Sequence, residues 1–555
     1  MGKCERRATV GSLGDSGWIG LLVSGLGVVA AACLAGCGES KRETTPGVIP
    51  YELAPTGVLP ATPELVALGK SIYLKQCVAC HGSEGRGDGE AAYLLNPKPR
   101  DFAGDRFRLV STWEGTPTDE DLYRTISRGI PGSAMPSWGY LTEEERWGLV
   151  HYVKSLPPHP WSTAEPTEPT VAGDIGTGVI QAPPEPPYDD AARERGRSLF
   201  VQSCSPCHGR EGRGDGLQQM VDDRGFAIRP RDLNTGVFKG SPDPEHLYRR
   251  IVGGIPGTPM PANPILHGAP AWDLVHYVRS LSSDAMRERV EMKKYRIVAR
   301  RVEKLPLHPD DGAWVAAPTV ELHLMPLWWR YDRPEYLTVQ ALHDGKEIAL
   351  LLVWADDTED DKAIRPQDFR DAAAIQFALD DAPPFFAMGA RRQFVNLWMW
   401  KSERQADLAA FQDIEAQYPN IGIDSYVNLQ RSPLEQPVRQ ALTLESDPAF
   451  VTGWGAGNIV SDPTRKSPVE DLAAQGFGTL KARPRSDQTV SATGVYSTGS
   501  YRVMFTRKLM GQGESAVTLK PGAAVPVAFA VWNGSAGDRD GKKSVTIWQE
   551  LLLDR

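Results

Sequence analysis

Three textures of apolar and polar residues succeed one another along the chain. Residues 17–36 are uncharged and largely apolar, and they follow Lys3, Arg6 and Arg7, the layout of an export signal. Further on, Trp147 with Leu149-Val150-His151-Tyr152-Val153 has the spacing of an amphipathic helix, and so has Trp272 with Leu274-Val275-His276-Tyr277-Val278. From about residue 292 the helical period gives way to alternation. Segments 348–354, 373–379, 395–400, 501–507, 526–532 and 544–551 read as strands between turns rich in Gly, Asp and Pro. Ile297, Ala299 and the region of Val302 add a strand entering this part. The pattern predicts two small all-α domains followed by an all-β sandwich of about 260 residues.

The two helical segments repeat each other. Gly69-Lys70-Ser71-Ile72-Tyr73 aligns with Gly196-Arg197-Ser198-Leu199-Phe200, and Gly85-Arg86-Gly87-Asp88-Gly89 with Gly212-Arg213-Gly214-Asp215-Gly216. Pro99-Arg100-Asp101 and Leu122-Tyr123-Arg124 recur as Pro230-Arg231-Asp232 and Leu247-Tyr248-Arg249. Each copy contains Cys-x-x-Cys-His: Cys77-Val78-Ala79-Cys80-His81 and Cys204-Ser205-Pro206-Cys207-His208. This spacing attaches c-type haem, with two thioethers to one porphyrin edge and the adjacent imidazole on the iron. A zinc site would want two more Cys or His nearby, and neither copy has them. His81 and His208 are therefore expected as iron ligands.

A methionine recurs in the same Gly/Pro-rich loop of both copies. Gly129-Ile130-Pro131-Gly132-Ser133-Ala134-Met135-Pro136 matches Gly254-Ile255-Pro256-Gly257-Thr258-Pro259-Met260-Pro261. Helix cannot persist through such a segment, so Met135 and Met260 are presented from loops as sixth ligands, thioethers that raise the haem potential. His151 and His276 are the rival ligands, expected to be structural because they sit among core positions of a helix. Pro99 and Pro230 are candidates to offer a backbone carbonyl to the ligating imidazoles, a role that fixes ring orientation. With both axial positions filled, neither haem offers an open site for O₂ or peroxide.

The cysteine count supports export. Of seven cysteines, four belong to the haem motifs. The run ending Leu34-Ala35-Gly36-Cys37 resembles the lipobox of bacterial lipoproteins, in which cleavage leaves the lipidated cysteine first. Cys4 and Cys33 would leave with the signal, so every remaining thiol has a task. The reading is a signal at 1–36, a tether at 37–65, cytochrome domains at 66–157 and 189–284, a proline-rich linker at 158–188 and the β-domain at 292–555. A net charge of -9 and a pI near 5.7 argue against nucleic-acid binding.

Segments 66–157 and 189–284 resemble class I cytochromes c, small all-α domains. The β-half resembles the b-haem domain of ethylbenzene dehydrogenase gamma subunits. That likeness rests on Phe385-Phe386-Ala387-Met388-Gly389, Val395-Asn396-Leu397-Trp398-Met399-Trp400-Lys401 and Gly476-Phe477-Gly478-Thr479-Leu480. It continues in Tyr501-Arg502-Val503-Met504-Phe505-Thr506-Arg507, Val531-Trp532-Asn533-Gly534 and Lys543-Ser544-Val545-Thr546-Ile547-Trp548. Related subunits serve selenate-, chlorate- and nitrite-converting enzymes of the molybdenum superfamily. The resemblance implies one non-covalent haem b held by a methionine and a lysine, with Met388 as the methionine. Lys481 is the first candidate for the lysine, with Lys401 and Lys466 as alternatives; His323 and Met325 would line the pocket.

These readings make the chain a non-catalytic electron-transfer subunit with two haems c and one haem b, nitrite-oxidoreductase-like in its most specific form. It would sit on the periplasmic side through a lipid anchor. Its partners would be a molybdopterin catalytic subunit, an iron–sulfur subunit and a cytochrome or quinone-linked carrier. The alternatives are a self-contained haem oxidoreductase reacting at an open iron, and a dihaem cytochrome whose β-domain binds a non-haem ligand.

Overall fold

The computed structural model describes residues 47–104, 106–158, 177–380, 382–409, 417–418, 420 and 466–555. The export run, Cys37 and most of the proline-rich linker lie outside them. No helix among the described residues is long and apolar enough to cross a membrane.

The first module contains α1 (Pro63–Gln76), the single turn α2 (Val78–His81), α3 (Asp119–Arg128) and α4 (Glu143–Lys154). The second repeats this with α5 (Asp190–Ser203), α6 (Ser205–His208), α7 (Pro244–Gly253) and α8 (Ala269–Ser280), and α9 (Asp284–Arg289) follows. Local chemistry starts these helices. The Thr62 hydroxyl accepts from the Leu65 N–H ahead of Pro63 at the first turn of α1. Helices α3 and α4 open with reciprocal capping boxes, Thr118 with Asp121 and Thr142 with Glu145.

The outer helices of each module meet backbone to backbone. A Cβ on Gly69 of α1 would lie 1.9 Å from the Gly148 carbonyl of α4. One on Gly196 of α5 would lie 1.9 Å from the Asp273 carbonyl of α8. Only glycine permits that approach. Behind the crossings, Trp147 packs on Tyr123 at 4.7 Å and Trp272 on Tyr248 at 4.9 Å between ring centroids. The second module departs from an all-α pattern in carrying a short antiparallel hairpin, β1 (Met220–Val221) with β2 (Ala227–Ile228).

The β-domain comprises β3 (Arg296–Arg301), β4 (Val320–His323), β5 (Met325–Pro326), β6 (Tyr336–His343), β7 (Glu347–Ala355), β8 (Ala372–Ala378) and β9 (Val395–Lys401). After helix α10 (Ser402–Ala409) come β10 (Val469–Ala474), β11 (Lys481–Ala482), β12 (Ser491–Ser497), β13 (Ser500–Lys508), β14 (Ala524–Trp532), β15 (Ser544–Val545) and β16 (Gln549–Leu553). Among the described residues these form one hydrogen-bonded sheet, ordered β11-β10-β9-β8-β14-β16-β3-β6-β7-β13-β12, with β4 on β6 and β15 joining β14 to β5. The pairings β16–β3 and β3–β6 are parallel and the others antiparallel.

This sheet folds over itself to give the two faces of the expected sandwich. Trp400 of β9 meets Tyr501 of β13 at 5.5 Å, and the Arg507 guanidinium of β13 lies 4.7 Å over Trp398 of β9. Ile297, Leu350, Phe377, Phe505 and Phe529 fill the space between. The expected strand at 544–551 is two strands, because residues 546–548 leave the ladder. Strand β10 escapes the alternation rule because all six of its residues are buried, Glu470 and Asp471 included. Those carboxylates are neutralised by Lys401 and Arg404, and by Arg483, respectively.

Candidate functional site

Each cytochrome motif sits at a helix end that points its side chains inward. Helix α1 stops at Cys77, and the turn α2 carries Cys80 and His81 before Gly82 reverses the chain at φ 76°. A Cβ at Gly82 would lie 2.0 Å from an Asp88 carboxylate oxygen. Gly209 repeats the device at φ 74°, with Asp215 in the place of Asp88. Cys77 and Cys80 are free thiols pushed up to about 12 by burial. Cys204 is pushed to about 11 by burial and then by Cys207.

Both imidazoles are held neutral, the form that can ligate a metal. Burial pushes His81 down to about 4, and burial followed by Lys239 does the same for His208. His81 stacks on Phe102 at 4.7 Å, and its Nδ1 lies 3.3 Å from the Arg100 carbonyl, which leaves Nε2 for iron. The carbonyl partner is thus Arg100 rather than Pro99, whose oxygen accepts from Arg224 instead. Among the described residues His208 Nδ1 has no partner.

The methionine loops are built alike. The Ile130 N–H donates to the Met135 carbonyl and the Met135 N–H to the Ser133 hydroxyl. Ile255, Met260 and Thr258 repeat both bonds. Met135 packs in the same apolar cluster as Cys77 and Cys80. The rival histidines are engaged elsewhere: His151 Nε2 lies 2.8 Å from the Leu59 carbonyl, and His276 Nε2 lies 3.2 Å from Glu185. Among the described residues no cluster of three His, Cys, Asp or Glu able to hold a metal exists.

In the β-domain Met388 is the unusual residue. It occupies the left-handed region at φ 68°, which a residue with a Cβ adopts only under constraint. Its N–H donates to the Gln376 side chain and its carbonyl accepts from the Gly476 N–H. Its sulfur lies 4.0 Å from Lys543 Nζ. Lys543 is half-buried beside β15, 4.8 Å over the Trp532 ring, and desolvation pushes it down to about 8 with only Asp540 opposing. Among the described residues it has no carboxylate in ion-pair contact. An amine and a thioether thus stand 4.0 Å apart, two donor types suited to a metal.

The lysine expected at 481 is not the one brought to Met388. Lys481 is exposed on the edge strand β11, Lys466 is exposed, and Lys401 is ion-paired to Glu470 at 2.9 Å. The sequence signal for Lys543 is its place directly before the Ser-Val-Thr-Ile-Trp segment, inside the resemblance. Met325 is buried in the cluster that Met388 packs against. Neither ring nitrogen of His323 has a partner among the described residues, and burial pushes that ring down to about 3.

Paired helical modules, each with a half-buried Cys-x-x-Cys-His turn, are the architecture of c-type cytochromes. Residues 66–157 and 193–282 match the cytochrome c family, and residues 311–544 match the ethylbenzene dehydrogenase family. A Haloferax mediterranei protein named as a respiratory nitrate reductase heme subunit is 25% identical over 252 residues, 44% of this chain and 68% of that protein. The gamma subunit of dimethylsulfide dehydrogenase from Rhodovulum sulfidophilum is 25% identical, over 44% of this chain and 74% of its own length. That of chlorate reductase from Ideonella dechloratans is 22% identical, over 44% of this chain and 78% of its own.

Proposed function

We propose that this chain is the electron-transfer subunit of a molybdopterin oxidoreductase and carries two haems c and one haem b. Cys77, Cys80, Cys204 and Cys207 would bond the c haems, with His81 and Met135, and His208 and Met260, as axial ligands. Met388 and Lys543 would hold the b haem. Bound haem iron supplies one-electron chemistry, cycling between its ferrous and ferric states. The chain's own contribution is to keep the imidazoles neutral, the thioethers in place and water away. The observation that carries the reading is the approach of a half-buried lysine, without a carboxylate, to a methionine held at positive φ.

The relatives named for nitrate reductase, dimethylsulfide dehydrogenase and chlorate reductase support a catalytic subunit and an iron–sulfur subunit as neighbours. A nitrite-oxidising assembly is the specific version preferred here. The export run and Cys37 favour an exported, lipid-anchored protein on the periplasmic side, passing electrons to or from a cytochrome or quinone-linked carrier. Pyridine haemochrome analysis of the native complex tests this. Two c-type groups and one b-type group per chain are expected, and a preparation with no sulfur-bonded haem would refute the proposal.

A further inference from the structure

In the chain, the second cytochrome module directly precedes the β-domain, and the first lies more than a hundred residues away. In space the order is different. The 91–98 segment of the first module joins its haem turn to the Met388–Lys543 pocket. At one end the Ala91 N–H donates to the Ala79 carbonyl, inside the Cys-x-x-Cys-His turn, at 2.8 Å. At the other, the Asn96 N–H donates to the Leu327 carbonyl at 3.1 Å, and the Leu327 N–H donates to the Lys543 carbonyl at 3.0 Å. The Leu94 side chain lies against Gly541, where a Cβ would be 3.1 Å from it.

The apolar packing follows the same line. A single cluster holds Cys77, Cys80 and Met135 of the first module together with Met388, Phe385 and Trp548 of the β-domain. Cys204 of the second module belongs to a separate cluster. The second module meets the β-domain through cations over rings, Arg231 above Trp329 at 4.9 Å and Arg229 above Tyr331 at 5.5 Å. Its closer engagement is with the haem loops of the first. Arg231 donates to the Gly132 carbonyl in the Met135 loop at 2.8 Å, and Arg224 donates to the Pro99 carbonyl, beside the residue that holds His81, at 3.1 Å.

We infer that the first cytochrome module is the direct redox neighbour of the Met388–Lys543 pocket, and that the second exchanges electrons with the pocket only by way of the first. The inference rests on the proposed haem content. Electron tunnelling is favoured along packed atoms and hydrogen bonds over gaps, and the continuous path leads from Lys543 through Leu327 and Asn96 to the first motif. Each transfer moves one electron from a ferrous centre to a ferric one, with no bond made and no proton required.

The test uses the full-length, haem-loaded chain. Pulsed electron paramagnetic resonance reads how fast the ferric b signal relaxes as each c group is oxidised in turn. Relaxation should accelerate when the first module's iron becomes paramagnetic and change little with the second. Removing the second attachment site (Cys204→Ala with Cys207→Ala) should leave pocket-to-first-module exchange unchanged. Removing the first (Cys77→Ala with Cys80→Ala) should slow exchange between pocket and second module by about tenfold or more. Relaxation that follows the second module, or exchange that survives loss of the first, overturns the inference alone. Absence of any b-type signal overturns the haem assignment and this inference with it.

Discussion

Substitution of Gly69 by alanine tests the helical module at its tightest point. In an isolated helix the change would stabilise by up to about 1 kcal/mol, since alanine is the better helix former. Here the added Cβ would sit 1.9 Å from the Gly148 oxygen and 2.8 Å from the Leu149 nitrogen, where contacts below about 3.4 Å are already tight. Helices α1 and α4 must part by roughly the difference, about 1.5 Å, because the obstacle is backbone and no rotamer relieves it. Parting them loosens Leu65, Ile72 and Tyr73 against Leu149 and Val150, all buried. Overpacking costs about 1–3 kcal/mol, and loss of even two large apolar contacts adds roughly 3 kcal/mol or more. The total approaches the whole stability of a small domain. Haem counting by pyridine haemochrome and in-gel staining should therefore find one c-type group per chain in Gly69→Ala, with Cys77 and Cys80 open to alkylation. Gly196→Ala should lose the other group by the same clash, and Gly57→Ala, with nothing near its Cβ, should lose neither. Two haems c and an unchanged thermal midpoint in Gly69→Ala would refute the reasoning.

Lys543→Ala and Met388→Ala should each abolish the b-type absorbance while both c-type groups remain, and Lys481→Ala should leave all three; optical titration of the purified chain distinguishes them. Asp371 and Asp356 are buried together, and desolvation pushes them up to about 7 and about 6, with Asp356 the next contributor at Asp371. Folded values raised above the unfolded ones give a stabilisation fully present below about 4 and lost as pH rises through 6 and 7. The β-domain's melting temperature should thus fall between about pH 4 and 7, with a limiting slope of about 1.4 kcal/mol per pH unit for each proton, and Asp371→Asn should flatten that fall. Arg128 pairs with Glu291 at 2.6 Å and donates to the Gly240 carbonyl of the second module. Arg128→Ala leaves Glu291 without its cation and should cost about 3 kcal/mol or more, read as faster proteolysis between the modules.

Short-range chemistry announced itself in the sequence, and long-range pairing did not. The Cys-x-x-Cys-His turns, the repeated methionine loops and the closing helices with Trp147 and Trp272 are each set by residues within a few positions. Strands β7, β8, β9, β13 and β14 alternate or run apolar, and their positions were readable for that reason. Strand β10 hid behind its buried acids, whose partners Lys401, Arg404 and Arg483 stand elsewhere in the chain. Lys481 stands out locally because it follows a Gly-Thr-Leu turn, and Lys543 carries no such local mark. The choice between them depends on β15 joining β5 to β14, a pairing between segments more than two hundred residues apart that no local pattern specifies. The seating of the first module on the pocket is hidden for the same reason.

The pocket makes little sense as a device for stability. A lysine half-buried without a carboxylate lowers its own affinity for protons and destabilises the fold around it. A methionine at φ 68° stores roughly 1–2 kcal/mol that glycine, present at the next position, would not. Both costs fall on one pair of side chains whose donor atoms are 4.0 Å apart. A lysine without a carboxylate and a methionine at positive φ, meeting at one place, mark a site held ready for a ligand. The donor set selects which ligand. A neutral amine and a thioether would add no charge to a bound metal, which would suit a haem iron whose porphyrin already supplies two negative charges.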